Sequence, residues 1–169
     1  MKSSLIKNSA SLVILLASLH FSTNLAAQSL AYKALLSTLY DSKFPVLKPA
    51  QLSDLSNYQV LDTREKEEFD VSHLKDAEWV GYDTFTLMKV ATLDKNKPVL
   101  VYCTVGARSQ DIGKKLKDAG FTQVYNLYGG LIEWVNEEKP IFQGNTQTNK
   151  VHTYSKTWGI WLTKGEKVY

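Results

Sequence analysis

Short apolar runs alternate with amphipathic stretches along most of the chain. At the start, Lys2 and Lys7 precede an apolar core from Leu12 to Leu19, and Asn24-Leu25-Ala26-Ala27 places small residues before Gln28, the layout of a secretory signal peptide over residues 1–27. Cleavage is expected after Ala27, with Ala26 open as the alternative because Leu25 is large for its place. The apolar run falls short of the roughly 20 residues that span a bilayer, so no membrane association is expected after the leader is removed. Tyr32, Leu35, Leu36, Leu39 and Tyr40 then recur at helical spacing and predict an amphipathic helix in the segment 28–43, packed on the domain it precedes. Phe44-Pro45 breaks that pattern, and Pro49 opens a short helix over Lys48–Leu52.

Tyr58 to Leu61 reads as a short strand running into Asp62-Thr63-Arg64, with helix-prone Glu65 to Phe69 behind it. Ala77 to Val80 is a further short strand, and Asp83 to Leu93 is expected to be a helix with Phe85, Met88 and Thr92 on one side. Val99 to Tyr102 shows no polar alternation, as in a parallel strand covered on both faces. Ile112, Leu116 and Ala119 fall on one helical face, and Gly120 supplies a left-handed stop. Val124 to Leu127 is another strand, Gly129-Gly130 a turn that needs positive backbone angles, and Leu131 to Glu137 a final helix with Trp134 inward. Strands and helices that alternate with short joints predict right-handed crossovers and an α/β domain with a parallel sheet, here over 44–143. Residues 144–169 read as a polar linker and an aromatic C-terminal extension. Its Tyr154, Trp158 and Trp161 are expected to seal a hydrophobic edge, an acceptor or dimer surface being the alternative.

With 169 residues, 44% hydrophobic and 22% charged, the chain suits one globular domain with a real core. Without Lys2 and Lys7 there are 18 basic against 17 acidic side chains, a balance that points to neither nucleic acid nor an acidic membrane surface. The leader implies a periplasmic or secreted protein. Proteins of oxidising compartments use cysteines in pairs, yet Cys103 is single. It is therefore either a buried filler or a thiol kept for chemistry.

The surroundings favour chemistry. Cys103 ends a buried strand and a helix begins just beyond, where backbone N–H groups converge and the helix dipole favours an anion. Thr104, Val105, Gly106 and Ala107 are compact, Gly106 can take angles that turn several amides inward, and Arg108 adds a positive charge. Such a nest suits one negatively charged sulfur group. On the neighbouring strand end, Asp62 taken alone reads as a helix cap, in a capping box with Glu65, and Arg64 as a surface partner of Glu67 or Glu68.

The segment Cys103-Thr104-Val105-Gly106-Ala107-Arg108-Ser109 resembles the active-site loop of the rhodanese-like sulfurtransferases. Leu61-Asp62-Thr63-Arg64-Glu65 is similar to that family's aspartate-x-arginine motif. Glu68-Phe69 with Ser72-His73-Leu74-Lys75-Asp76-Ala77 is similar to its second motif, and Leu127-Tyr128-Gly129-Gly130 with Trp134 to its closing motif. All four occur in order, from about Phe44 to Phe142. The resemblance implies a doubly wound, mostly parallel sheet with helices on both faces. It also implies a cysteine that takes a sulfane sulfur from a donor such as thiosulfate and yields it to a thiophilic acceptor. Cys103 would then be the nucleophile, and the amides from Thr104 to Ser109 would stabilise the persulfide. Arg108 would help bind a small anionic donor, and Asp62 and Arg64 would brace the loop. The acceptor would be a thiol or cyanide, with a protein thiol as a further candidate. Two departures stand out: the second motif has glycines where this chain has Ser72 and Asp76.

Competing readings are a cysteine phosphatase or arsenate reductase, whose loop is one residue longer, and a redox-sensing or sulfur-carrying module of the same fold that does not turn over. Only four residues separate Cys103 from Arg108, which fits a single sulfur better than a tetrahedral oxyanion. One cysteine and two scattered histidines after the leader give no metal-ligand spacing, and the expected chemistry needs no cofactor.

Overall fold

The computed structural model describes residues 27–169, so the expected leader, apart from its last residue, lies outside the described part. The described chain divides into two units, one ending at Thr38 and the other Leu39–Tyr169. Residues 27–39 form helix α1, where Tyr32 to Tyr40 show helical spacing.

The second unit is built on a five-stranded sheet of β1 (Val46–Leu47), β2 (Gln59–Asp62), β3 (Glu78–Trp79), β4 (Val99–Tyr102) and β5 (Val124–Leu127), in the order β1-β5-β4-β2-β3. Every neighbouring pair is parallel. The helices α2 (Lys66–Val71), α3 (Ala107–Asp118) and α4 (Gly130–Asn136) follow β2, β4 and β5, giving the doubly wound α/β fold with helices on both faces. β4 lies at the centre, and all four of its side chains are buried. Strand alternation sends Val99 and Val101 into one core layer with Leu61, Ile112, Leu116 and Val124, and Leu100 and Tyr102 to the other face. The register sets Asp62 beside Tyr102, one residue before Cys103.

Three segments differ from expectation. Within Asp83–Leu93 only Leu87–Val90 is helical, as a 3-10 turn. Thr84, Thr86 and Thr92 disfavour an α-helix, and Met88 is 83% exposed while Val90 is buried. β1 was hidden behind Phe44-Pro45 because two residues carry no periodicity. The polar stretch 144–149 is no linker: Gly144, at φ +56°, and Asn145 turn a hairpin between β6 (Ile141–Gln143) and β7 (Thr146–Thr148). Beyond it, β8 (Lys150–His152) pairs with β9 (Glu166–Val168), and a short α5 (Lys156–Gly159) lies between them. Val151, Thr153 and Leu162 of this extension are buried, and the Asn136 side chain at the end of α4 bonds the Trp161 carbonyl at 2.9 Å and the Thr163 amide at 2.8 Å.

Candidate active site

The central strand delivers Cys103 directly to the start of α3. The thiol is buried, and the Gly106 N–H donates to Sγ at 3.1 Å. Gly106 takes φ +97°, and a Cβ there would lie 2.1 Å from the Tyr40 hydroxyl, so both backbone angle and close approach require glycine. The N–H groups of Gly106, Ala107, Arg108 and Ser109 open a 12-residue helix and have no acceptor within it. They form a cluster of donors with the positive end of the helix dipole beside the sulfur.

The loop is held from behind by the start of α4. Leu131 N–H donates to the Cys103 carbonyl at 2.9 Å and Ile132 N–H to the Thr104 carbonyl at 3.1 Å. A Cβ on Gly130 would sit 2.4 Å from that Cys103 oxygen, which explains the second glycine of the pair. Tyr40 spans the same gap: its hydroxyl donates to the Val105 carbonyl at 2.6 Å and accepts the Gly129 N–H at 2.8 Å. Burial pushes the Tyr40 pKa up, so the hydroxyl keeps its proton. The Ser109 hydroxyl donates to Asn126 Oδ1 at 2.7 Å, and Asn126 Nδ2 donates to the Gly106 carbonyl at 2.8 Å. Ser109, expected among the substrate contacts, therefore uses its side chain as a strut.

Arg108 is tied to the second helix. Its Nη1 and Nη2 donate to Oε2 and Oε1 of Glu68, both at 2.8 Å, and Nη2 donates to Thr104 Oγ1 at 3.0 Å. Thr104 in turn donates to Glu68 Oε1 at 2.8 Å. Burial works against the Arg108 charge, but the Glu68 hydrogen bonds and the charges of Cys103 and Glu68 push its pKa up. The charge expected to meet an anionic donor is thus matched by a carboxylate. Glu68 caps α2 as well, accepting the Glu65 N–H at 3.1 Å, so the helix cap is Glu65 with Glu68 and not Asp62.

Asp62 and Arg64 form a fully buried pair, with Nη2 to Oδ2 at 2.6 Å and Nε to Oδ1 at 3.0 Å. Arg64, which taken alone reads as a surface residue, is buried, and its Nη2 also donates to the Ser72 carbonyl at 2.6 Å, tying the strand end to the turn at His73. Burial opposes the Arg64 charge, yet Asp62 holds its pKa above the ordinary guanidinium value. The pair lies beside Tyr102, with the Arg64 guanidinium 5.6 Å from the Tyr102 ring centre, and Thr63 carries the link on, its N–H and hydroxyl both donating to the Tyr102 carbonyl. Of the two positions with no glycine, Asp76 adopts φ +56° as glycine would, and Ser72 is extended at φ −169° and needs none.

Cys103, Thr104, Val105, Ala107 and Arg108 line a cavity of about 160 Å³ together with Tyr154 and Trp158. The Arg108 guanidinium lies 4.8 Å from the Tyr154 ring centre. These aromatics, assigned by pattern to a sealed edge, stand at the mouth of the thiol pocket. A larger cavity of about 440 Å³, beside Leu52, Tyr58, Val60 and Trp134, has no thiol in its lining. Pattern alone missed Glu68, Tyr40 and Asn126, and gave an acceptor surface at Tyr154 and Trp158 only as the alternative to a sealed edge. Glu68 carried a signal, its place three residues after Glu65; the others meet the loop only through tertiary structure.

A family model for the rhodanese-like domain matches residues 48–137, just over half of the chain. The chain belongs to the rhodanese-like family. It is 34% identical over 76 residues to the thiosulfate sulfurtransferase GlpE of Coxiella burnetii, covering 44% of this chain and 69% of that protein. It is 28% identical over 121 residues to a tRNA uridine(34) hydroxylase of Aster yellows witches'-broom phytoplasma, covering 64% of this chain but 36% of that protein. The chain spans about a third or less of the length of the hydroxylases it matches. Among solved structures, a rhodanese-related protein from Thermoplasma volcanium superposes with a TM-score of 0.54 at 24% identity, over 59% of this chain and 99% of that one, a likeness of fold. Relatives with the rhodanese-like domain thus include named sulfurtransferases, and the match ends before the extension that carries Tyr154 and Trp158.

Proposed function

We propose that the chain is a sulfurtransferase that carries a sulfane sulfur as a persulfide on Cys103. The observation that carries this reading is the seat of Sγ, 3.1 Å from the Gly106 amide at the dipole end of α3, on a loop with one residue fewer than a phosphate cradle needs. The Cys103 thiolate attacks the outer sulfur of thiosulfate, the sulfur–sulfur bond breaks, and sulfite leaves with its electron pair. The persulfide anion then lies among the opening amides of α3, where fixed donors stabilise negative charge without reorganisation. A thiophilic acceptor, such as a thiol or cyanide, attacks the outer sulfur and returns Cys103 to the thiolate. Glu68 and Arg108 hold Thr104 and the loop in shape, and Asp62 with Arg64 holds the neighbouring strand end. No cofactor enters these steps. Lys2, Lys7 and the apolar run Leu12–Leu19 support a periplasmic or secreted setting for this reaction.

The test is turnover with thiosulfate and cyanide, read as thiocyanate and sulfite formed in equal amounts. The proposal predicts both products from the wild-type chain and neither from Cys103→Ser. Hydrolysis of an aryl phosphate without sulfite release would replace it with the phosphatase reading. Mixed-disulfide formation with neither activity would replace it with a redox role.

A further inference from the structure

Two aromatic side chains from outside the matched family segment line the cavity that Cys103 also lines. The match ends at residue 137, and Tyr154 and Trp158 complete the cavity that Cys103 shares with Val105, Ala107 and Arg108. Their position is built into the extension. Tyr154 holds φ +66°, an uncommon angle for a bulky residue, and its N–H donates to His152 Nδ1 at 3.2 Å. Ser155 caps α5 by accepting the Trp158 N–H at 3.4 Å, and Val151, Thr153 and Leu162 anchor the segment in the core. The Tyr154 side chain is nevertheless 56% exposed, open to an incoming molecule.

The same cavity offers little to a small ion. Arg108 is the one cation among its lining residues, and both Nη groups are bound to the Glu68 carboxylate, with its face toward Tyr154. The remaining walls are the side chains of Thr104, Val105 and Ala107 and two rings. Planar aromatic faces reward an aromatic or apolar group and are indifferent to a diatomic anion.

Resting on the reading of Cys103 as a persulfide carrier, we propose that the extension selects the acceptor, a thiol borne on an aromatic or apolar group that seats between Tyr154 and Trp158. The acceptor thiol attacks the outer sulfur of the Cys103 persulfide anion. The sulfur–sulfur bond breaks, Cys103 leaves as the thiolate with the bonding pair, and the acceptor's own proton passes to the transferred sulfur, giving R–S–SH. No outside oxidant or reductant takes part.

The discharge step is measured alone. The full chain is loaded with thiosulfate or, independently, with inorganic polysulfide, freed of excess donor, and mixed with thiophenol, mercaptoethanol or cyanide; loss of the sulfur is followed by intact mass. Trp158→Ala and Tyr154→Ala are each expected to slow discharge to thiophenol about tenfold, the scale of one aromatic contact. Discharge to cyanide is expected to hold or rise, and Trp158→Phe to recover most of the thiophenol rate. Equal slowing with all three acceptors would overturn the proposal and make the extension a brace for the loop. Unchanged rates would overturn it by removing the extension from the acceptor's path. A wild-type chain that accepts sulfur from neither donor would instead remove the persulfide reading itself, and the acceptor proposal with it.

Discussion

Replacing Glu68 by glutamine tests whether the loop is held by charge as well as by shape. Glu68 is 1% exposed, and its two oxygens accept both Arg108 Nη groups and the Thr104 hydroxyl at 2.8 Å, and the Glu65 amide at 3.1 Å. Glutamine has nearly the same volume, but one of its head atoms is a donor. At least one guanidinium N–H would then face an NH₂ group, and Arg108, whose side chain is 20% exposed, would lose its counter-charge. Breaking a buried ion pair costs about 3–5 kcal/mol. Partial solvent access at Arg108 and the bonds that glutamine keeps bring the expected loss to about 2–3 kcal/mol. In urea, with a slope of about 1–3 kcal/mol/M, the midpoint should fall by roughly 1–2 M with the slope unchanged. An unchanged midpoint would refute the pairing as a source of stability.

The pH dependence adds a second reading of the same variant. Burial alone would raise the Glu68 pKa, but the hydrogen bonds and charge of Arg108, aided by Arg64, hold it below the ordinary glutamate value of 4.5. A carboxylate lowered on folding contributes stability above its unfolded pKa and loses it as pH falls through the folded value. The wild-type and Glu68→Gln midpoints should therefore converge on acidification below about 4.5. A gap that stays constant through that window would contradict the electrostatic account.

Further substitutions address the scaffold around the thiol. Asp62→Asn leaves the Arg64 guanidinium fully buried without its counter-charge, with Nη1 already lacking a partner; a loss of about 3–5 kcal/mol, or roughly 10–20 °C in melting temperature, is expected by calorimetry, and a shift of a few degrees would contradict it. Gly130→Ala should destabilise the domain more than Gly120→Ala. Both positions have positive φ, but the new Cβ meets the Cys103 oxygen at 2.4 Å in one case and only Lys95 side-chain atoms at 3.9 Å in the other, so equal melting temperatures would overturn the close-approach argument. Tyr40→Phe removes the bridge between Val105 and Gly129 at a cost of about 1–2 kcal/mol, and faster alkylation of Cys103 by iodoacetamide is the expected sign of a looser loop.

The parts of the molecule that could be read from the chain are those governed by neighbouring residues. The uninterrupted run Val99 to Tyr102 is a central strand, Cys103 meets the start of α3, and Gly129-Gly130 has the positive angles its turn needs. The misreadings share one cause, which is distance along the chain. Glu68, which holds both Arg108 and Thr104, lies forty residues before Arg108, so a loop read by itself does not reveal it. Asp62 and Arg64 look like cap and surface residues until the β2–β4 register buries them beside Tyr102. Tyr154 and Trp158 have the i, i+4 spacing of a helix face, but what they face is set by β8, β9 and Asn136 rather than by their own pattern.

The central claim, a persulfide on Cys103, is tested most directly by weighing the intact chain after brief exposure to thiosulfate and removal of excess donor. The account predicts a gain of one sulfur atom on the wild-type chain, reversed by a thiol reductant, and no gain on Cys103→Ser. A wild-type mass that does not change, or a sulfur that still adds to Cys103→Ser, would contradict it.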